Sequence, residues 1–266
     1  MKNLTIQMIV CLLLSYTLSA IPVTPNPQDT IKEKKTLTLE WGDDEDHDHH
    51  KSDGQTVNIR SGMLDFGIST YLSDGSLDLP DELSTLDQVL WRSMNIGLHI
   101  VNVRANFSGN NKPAKLNLTT GLKLNWAHYS MQQDYNLIRN QPSFEAALDF
   151  NVPELKKNRL RATYLQIPVL LEFTSNPTNA KQSINLGVGY VHQFLLGSQY
   201  KYKTTDGVKQ KARGDYNLRK SMGMIEARVG VSHLNFFVQY GLSHLFQDGN
   251  GPELTPINFG INLIPR

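Results

Sequence analysis

The stretch Leu116-Asn117-Leu118-Thr119-Thr120-Gly121-Leu122-Lys123-Leu124-Asn125-Trp126-Ala127 decides the fold. Laid out as an extended chain, its leucines, Thr120 and Trp126 share one face. Asn117, Thr119, Gly121, Lys123, Asn125 and Ala127 share the other. A period of two with one apolar face reads as a β-strand. The second face holds small side chains, amides and one lysine, a set suited to a narrow enclosed space.

The same alternation recurs along the chain. Leu64, Phe66 and Ile68 alternate with Asp65, Gly67 and Ser69, and Leu165, Ile167, Val169, Leu171 and Phe173 oppose Gln166, Pro168, Leu170 and Glu172. Eight such segments are expected, near 61–71, 93–107, 115–129, 162–173, 183–195, 219–231, 234–245 and 256–264. Most approach the roughly 9–11 residues that a tilted transmembrane strand needs. In the second segment Ile96, Leu98 and Ile100 share a face while Val101 and Val103 fall on the other, so a β-bulge is predicted there. The connections 72–92, 130–161, 196–218 and 246–255 are long, whereas 108–114, 174–182 and 232–233 are short. Long loops on one side and short turns on the other are the habit of outer-membrane barrels, and they put both termini on the periplasmic side.

Which face is inside follows from size. Eight strands enclose a space only wide enough for side chains. Leu, Ile, Val and Phe are too bulky for all of them to fill it, and facing water they would form an apolar band that a soluble monomer does not tolerate. The expected fold class is therefore all-β, an eight-stranded antiparallel up-and-down transmembrane β-barrel with long extracellular loops and large residues toward lipid. Tyr71, Trp91, Phe107, Trp126, Tyr129, Phe173, Phe194, Tyr240 and Phe246 lie near strand ends, where an interfacial aromatic girdle would sit.

Tyr164-Leu165-Gln166-Ile167-Pro168-Val169-Leu170-Leu171-Glu172-Phe173 resembles the Tyr-Leu-x-Ile-Pro-hydrophobic signature of the bacterial outer-membrane β-barrel domain family, the PorT-like or porin-family proteins. Asn185-Leu186-Gly187-Val188-Gly189-Tyr190 is similar to the family's next strand, and Gln239-Tyr240-Gly241-Leu242-Ser243-His244-Leu245 to its last hairpin. The resemblance covers roughly residues 61–266. It implies an exported precursor, an eight-stranded barrel and no shared enzymatic activity. Many such barrels end in an aromatic assembly signal; this chain ends Leu263-Ile264-Pro265-Arg266, with Phe259 or Leu263 as the nearest substitute.

The segments outside the barrel agree with export. Lys2, the apolar stretch Ile6–Leu14 and Ser19-Ala20 have the form of a secretory signal peptide over residues 1–20. Cys11 is the sole cysteine and lies inside that segment, so the remaining chain holds no disulfide. Without residues 1–20 the chain loses one base, Lys2, and no acid, leaving 25 basic against 25 acidic side chains. That balance gives no reason to expect a nucleic-acid partner. Residues 21–60 hold three prolines and the run Asp43-Asp44-Glu45-Asp46-His47-Asp48-His49-His50 without an apolar period. They read as a disordered acidic, His-rich N-terminal arm in which Thr36–Trp41 makes at most a short extended piece. His47, His49 and His50 are suitable metal ligands, but a solvated tether is the preferred reading and no metal is assigned.

By parity Asp65, Lys123, Glu172, Glu226 and Arg228 point into the barrel, where an ion-pair network closing the lumen is preferred over a conductive path. Loop 196–218 carries Lys201, Lys203, Lys209, Lys211 and Arg213 against Asp206 and Asp215. A solvated loop is the ordinary reading, and contact with lipid phosphates the sharper one. In loop 72–92, Leu83, Leu86 and Leu90 share a helical face, which predicts a short lid helix. No ordered Ser/His/Asp set or carboxylate pair marks a catalytic site, and no catalytic residue or cofactor is assigned. The expectation is a monomeric integral outer-membrane barrel, exported to the outer membrane, with a structural, binding or accessory role. Its partners would be outer-membrane lipid and other envelope proteins met through the loops or the arm. A narrow channel or transport- or secretion-associated component is the alternative.

Overall fold

A computed structural model describes residues 37–39, 57–108, 114–175, 183–231 and 234–263. The expected signal segment and the run containing His47, His49 and His50 lie outside them. In chain order the strands are β1 (Leu37–Leu39), β2 (Val57–Arg60), β3 (Leu64–Leu72), β4 (Met94–Asn106) and β5 (Ala114–Ser130). Two short strands, β6 (Asn136–Leu137) and β7 (Leu148–Asp149), flank a one-turn helix α1 (Phe144–Ala147). Then come β8 (Leu155–Ser175), β9 (Ile184–Thr204), β10 (Lys209–Arg213), β11 (Ser221–Val231), β12 (Leu234–Gly241) and β13 (Thr255–Leu263).

Eight of these close a barrel. Each of β3, β4, β5, β8, β9, β11, β12 and β13 pairs antiparallel with the next, and β13 returns to β3 in register from Thr255↔Leu72 to Leu263↔Leu64. Closure leaves no open edge in the membrane, where an unpaired backbone group would cost several kcal/mol. The predicted bulge is present: the β4–β5 register shifts between His99 and Val101. Ile96 and Leu98 before it, and Val101 and Val103 after it, thus all avoid the lumen. Gly67 and Gly260 face each other across β3 and β13, and a Cβ on Gly67 would lie 2.1 Å from the Phe259 carbonyl oxygen. Only glycine permits so close a backbone approach.

Four expectations need correction. First, β8 and β9 run 21 residues each, so much of what was expected as loops 130–161 and 196–218 is strand. Pairs from Leu155↔Thr204 to Thr163↔Gly197 carry the sheet beyond the apolar band, and β10 adds to its edge. Backbone polar groups this far from lipid still need partners, and pairing supplies them. Second, loop 72–92 forms no single lid helix. Two 3-10 turns, Asp81–Leu86 and Leu90–Arg92, take its place; Leu86 is buried, while Leu90 is exposed. The i to i+3 turn moves Leu90 off the face that an α-helix would have given it. Third, Tyr71, Tyr129 and Phe246 are buried inside the mouth and form no girdle, whereas Trp91, Phe107, Phe173, Phe194 and Tyr240 are exposed. Fourth, the stretch 21–60 contributes β2 as well as β1, the latter falling within the short extended piece expected at Thr36–Trp41. β1 lies parallel to β2, and β2 pairs antiparallel with the periplasmic half of β4.

Candidate functional site

All five predicted lumen charges point inward, and they divide into two clusters. Toward the middle of the lumen, Asp65 on β3 accepts from Lys123 Nζ at 2.8 Å and faces His99 Nε2 at 3.1 Å. Asn262 on β13 donates to the same carboxylate. Nearer the periplasm, Glu172 on β8 accepts from Thr119 at 2.7 Å, from Arg228 Nη1 at 3.3 Å and from Arg104. Arg228 also donates to Glu226, which takes a further bond from Gln239 at 2.7 Å. Three carboxylates thus meet three cations.

Strand parity places each of these side chains, and glycine makes room for them. A Cβ on Gly97 would lie 3.0 Å from Asp65, and one on Gly187 would lie 3.2 Å from Glu172. Both glycines face the lumen beside an ion pair, so the space that side chains would fill goes to charged groups. His99 and Arg104 were not identified from sequence. His99 shares the lumen parity of Asn95 and Gly97, opposite Ile96 and Leu98, whereas Arg104 lies beyond the bulge, which inverts parity along β4.

Above the charges, amides continue the network. Asn258 Nδ2 donates to Gln239 at 3.1 Å, Ser69 to Asn258 at 2.8 Å, and Asn95 to Ser69 at 2.9 Å. Gln166 donates to Gln193 at 2.8 Å. Higher still the lumen turns apolar. Tyr71, Tyr129 and Tyr164 fill it over the small Ala127 and Ala162, and Leu86, Leu137, Phe144 and Phe246 from the loops close the mouth in the same cluster. The hydroxyls of Tyr71 and Tyr200 donate to the carbonyls of Leu86 and Tyr135, tying loops to wall. In the loop region, burial pushes the Tyr135 hydroxyl well above its ordinary range. Outside the plug Arg219 donates to Asp248, which holds that carboxyl below the usual aspartate range.

A third polar group faces lipid. His192 lies between Tyr190 and Ser221, with Nδ1 2.8 Å from the Tyr190 hydroxyl and Nε2 2.9 Å from Ser221 Oγ. Mutual bonding removes most of the penalty of polar atoms on this face. Among the described residues no three His, Cys, Asp or Glu side chains gather as a metal site.

A closed eight-stranded barrel with an apolar outer band and a polar, charge-balanced lumen is the architecture of a membrane-spanning barrel. The family described as outer membrane protein beta-barrel domain matches residues 84–247. The chain belongs to that family. This outer-membrane barrel domain therefore sits in outer-membrane lipid, with strands and not helices crossing it; no described helix is long and apolar enough to do so. A search of curated proteins finds no match.

Proposed function

We propose that the protein is a non-enzymatic, monomeric outer-membrane barrel that passes no solute and acts as a binding or accessory component through its extracellular superstructure. The observation that supports this reading is the double seal of the lumen. A hydrated ion crossing it would have to break a neutral ion-pair network and then displace a tyrosine-rich plug. Removing one partner of a buried pair costs about 3–5 kcal/mol, so an ion that displaced a paired group would forfeit stabilisation of that order at the first layer alone. The extracellular sheet, by contrast, extends beyond the apolar band on β8, β9 and β10 and offers the surface available to a partner.

The test is a planar-bilayer recording of the purified protein. The expected result is an unbroken baseline; discrete, reproducible conductance steps would overturn the reading. One feature favours the alternative of a narrow channel: a cavity of about 50 Å³ enters the periplasmic end between Arg104, Glu172, Arg228 and Asn262. In that case conductance would rise when the plug is loosened by Leu86→Asp. The non-enzymatic part is tested at the Tyr190–His192–Ser221 group. Lipid-ester hydrolysis that Ser221→Ala abolishes would refute it.

A further inference from the structure

The outer wall of the extracellular sheet carries a dense unpaired positive charge. Alternation along β8 is unbroken from Asn158 to Phe173, so Lys157, Arg159 and Arg161 stand on the same outer face as Leu165, Ile167 and Val169 below them. On β9 an extra residue at Leu196 shifts the register, so that Gln199, Lys201 and Lys203 turn to that same face. The ladder then aligns three rows. Lys157, Lys203 and Lys209 are direct neighbours in the first. Arg159, Lys201 and Lys211 are neighbours in the second. Arg161, Gln199 and Arg213 form the third, with His128 of β5 opposite Arg161.

Eight of these nine row positions across β8, β9 and β10 are cations, and none is a carboxylate. Like charges directly opposite each other destabilise a sheet. Among the described residues none of the eight forms a salt bridge. Between the second and third rows lies a hollow of about 180 Å³ lined by His128, Arg159, Arg161, Gln199, Lys201 and Lys211. Two buried donors in it, Arg161 Nε and Gln199 Nε2, have no hydrogen-bond partner. Unpaired buried donors beside clustered cations call for an anion.

The height of the hollow selects the anion. Arg161 lies four residues beyond Leu165 on β8, which at about 3.3 Å per residue is roughly 13 Å along a tilted strand. That places the guanidinium just above the apolar band, on the lipid side and at headgroup level. We propose that this wall is a binding site for the phosphate groups of an anionic glycolipid in the outer leaflet, with Arg159, Arg161 and Lys201 as phosphate ligands and the outer rows as their electrostatic surround. The proposal needs only the outer-membrane setting and holds whether or not the lumen conducts.

The test uses the full chain in phosphatidylcholine nanodiscs with and without lipid A, read by the lipid retained in native mass spectrometry. Trp126 gives a second readout; it lies two residues below His128 on the same face of β5. The expected result is selective retention of lipid A, with at least a tenfold loss in Arg159→Gln/Arg161→Gln/Lys201→Gln. Arg161→Lys should bind at intermediate strength, because an ammonium keeps the charge and loses the planar fork. Heat-modifiable gel mobility confirms that each variant is folded. Equal retention by wild type and triple variant would overturn the proposal. So would binding of inorganic phosphate as strong as that of lipid A, since it would make this a site for free anions and not for a lipid.

Discussion

The lumen and the outer wall of the extracellular sheet both concentrate charge, and they do so in opposite ways. In the lumen three carboxylates meet three cations, and Asn, Gln and Thr side chains supply further bonds to the carboxylates. On the wall eight cations stand beside one another, and among the described residues none of them meets a carboxylate in a salt bridge. The difference follows from what surrounds each region. A closed lumen under an apolar plug must neutralise its charges internally, because a bare ion there is too costly. A wall at the headgroup layer meets anions supplied by the membrane, so the chain need not provide them. Charge balance within a protein therefore marks a structural role, and local imbalance at a defined depth marks a site for something else.

The largest expected effect breaks the lumen side of that contrast. Asp65→Ala leaves Lys123 buried without its carboxylate and should destabilise the barrel by about 3–5 kcal/mol. Urea unfolding in detergent reads this directly. Asp65→Leu combined with Lys123→Met should recover most of the loss, because an apolar pair replaces a matched ion pair. If the single substitution leaves the unfolding midpoint unchanged, pairing in the lumen is not what holds it.

A smaller effect is expected where the lumen turns apolar. Tyr200→Phe removes one of two bonds to the Tyr135 carbonyl, which keeps the one donated by Asn158 Nδ2 at 3.2 Å. A loss of about 0.5–1.5 kcal/mol should result, accompanied by faster proteolysis of the 131–154 segment. Unchanged cleavage would mean that the plug holds its loops by packing alone.

On the wall the same kind of change should do almost nothing to folding. Lys211→Gln should alter stability in neutral detergent by no more than about 0.5 kcal/mol. A large destabilisation would make the wall structural and erase the contrast with the lumen.

The smallest effect concerns pH at the loop pair. Arg219 lowers the Asp248 carboxyl, so the folded form is the stronger acid. Its contribution is complete above the ordinary aspartate range and fades as pH falls below it. Asp248 is largely exposed, so only local protection should respond. The amide protection factors near residues 217–219, corrected for the intrinsic exchange rate, should fall at low pH in wild type, whereas those of Asp248→Asn should show no pH-linked change.

Much of this molecule is legible in alternation. Parity placed Asp65, Lys123, Glu172, Glu226 and Arg228 inside, because a strand sends successive side chains to opposite faces. It was not carried through to His99, which parity puts opposite Ile96 and Leu98, or to Arg104, which lies beyond the bulge where the count shifts by one. The girdle reading of Tyr71 and Tyr129 went by nearness to strand ends alone, whereas parity puts them on the lumen face with Asp65 and Lys123. The wall was half visible. The five cations of residues 196–218 stood out as a charged loop, but Arg159 and Arg161 were assigned to a different loop.

The sequence by itself determined the strand count, the lipid-facing side and the composition of the lumen, since each depends on a local period of two and on the size of side chains. The tertiary structure alone decided which charges meet. Register couples residues far apart in the chain, and only the closed ladder brings Lys123 to Asp65 across 58 residues or aligns Arg159 with Lys201 and Lys211. Local patterning tells a side chain which way to face, while pairing between strands tells it whom it faces.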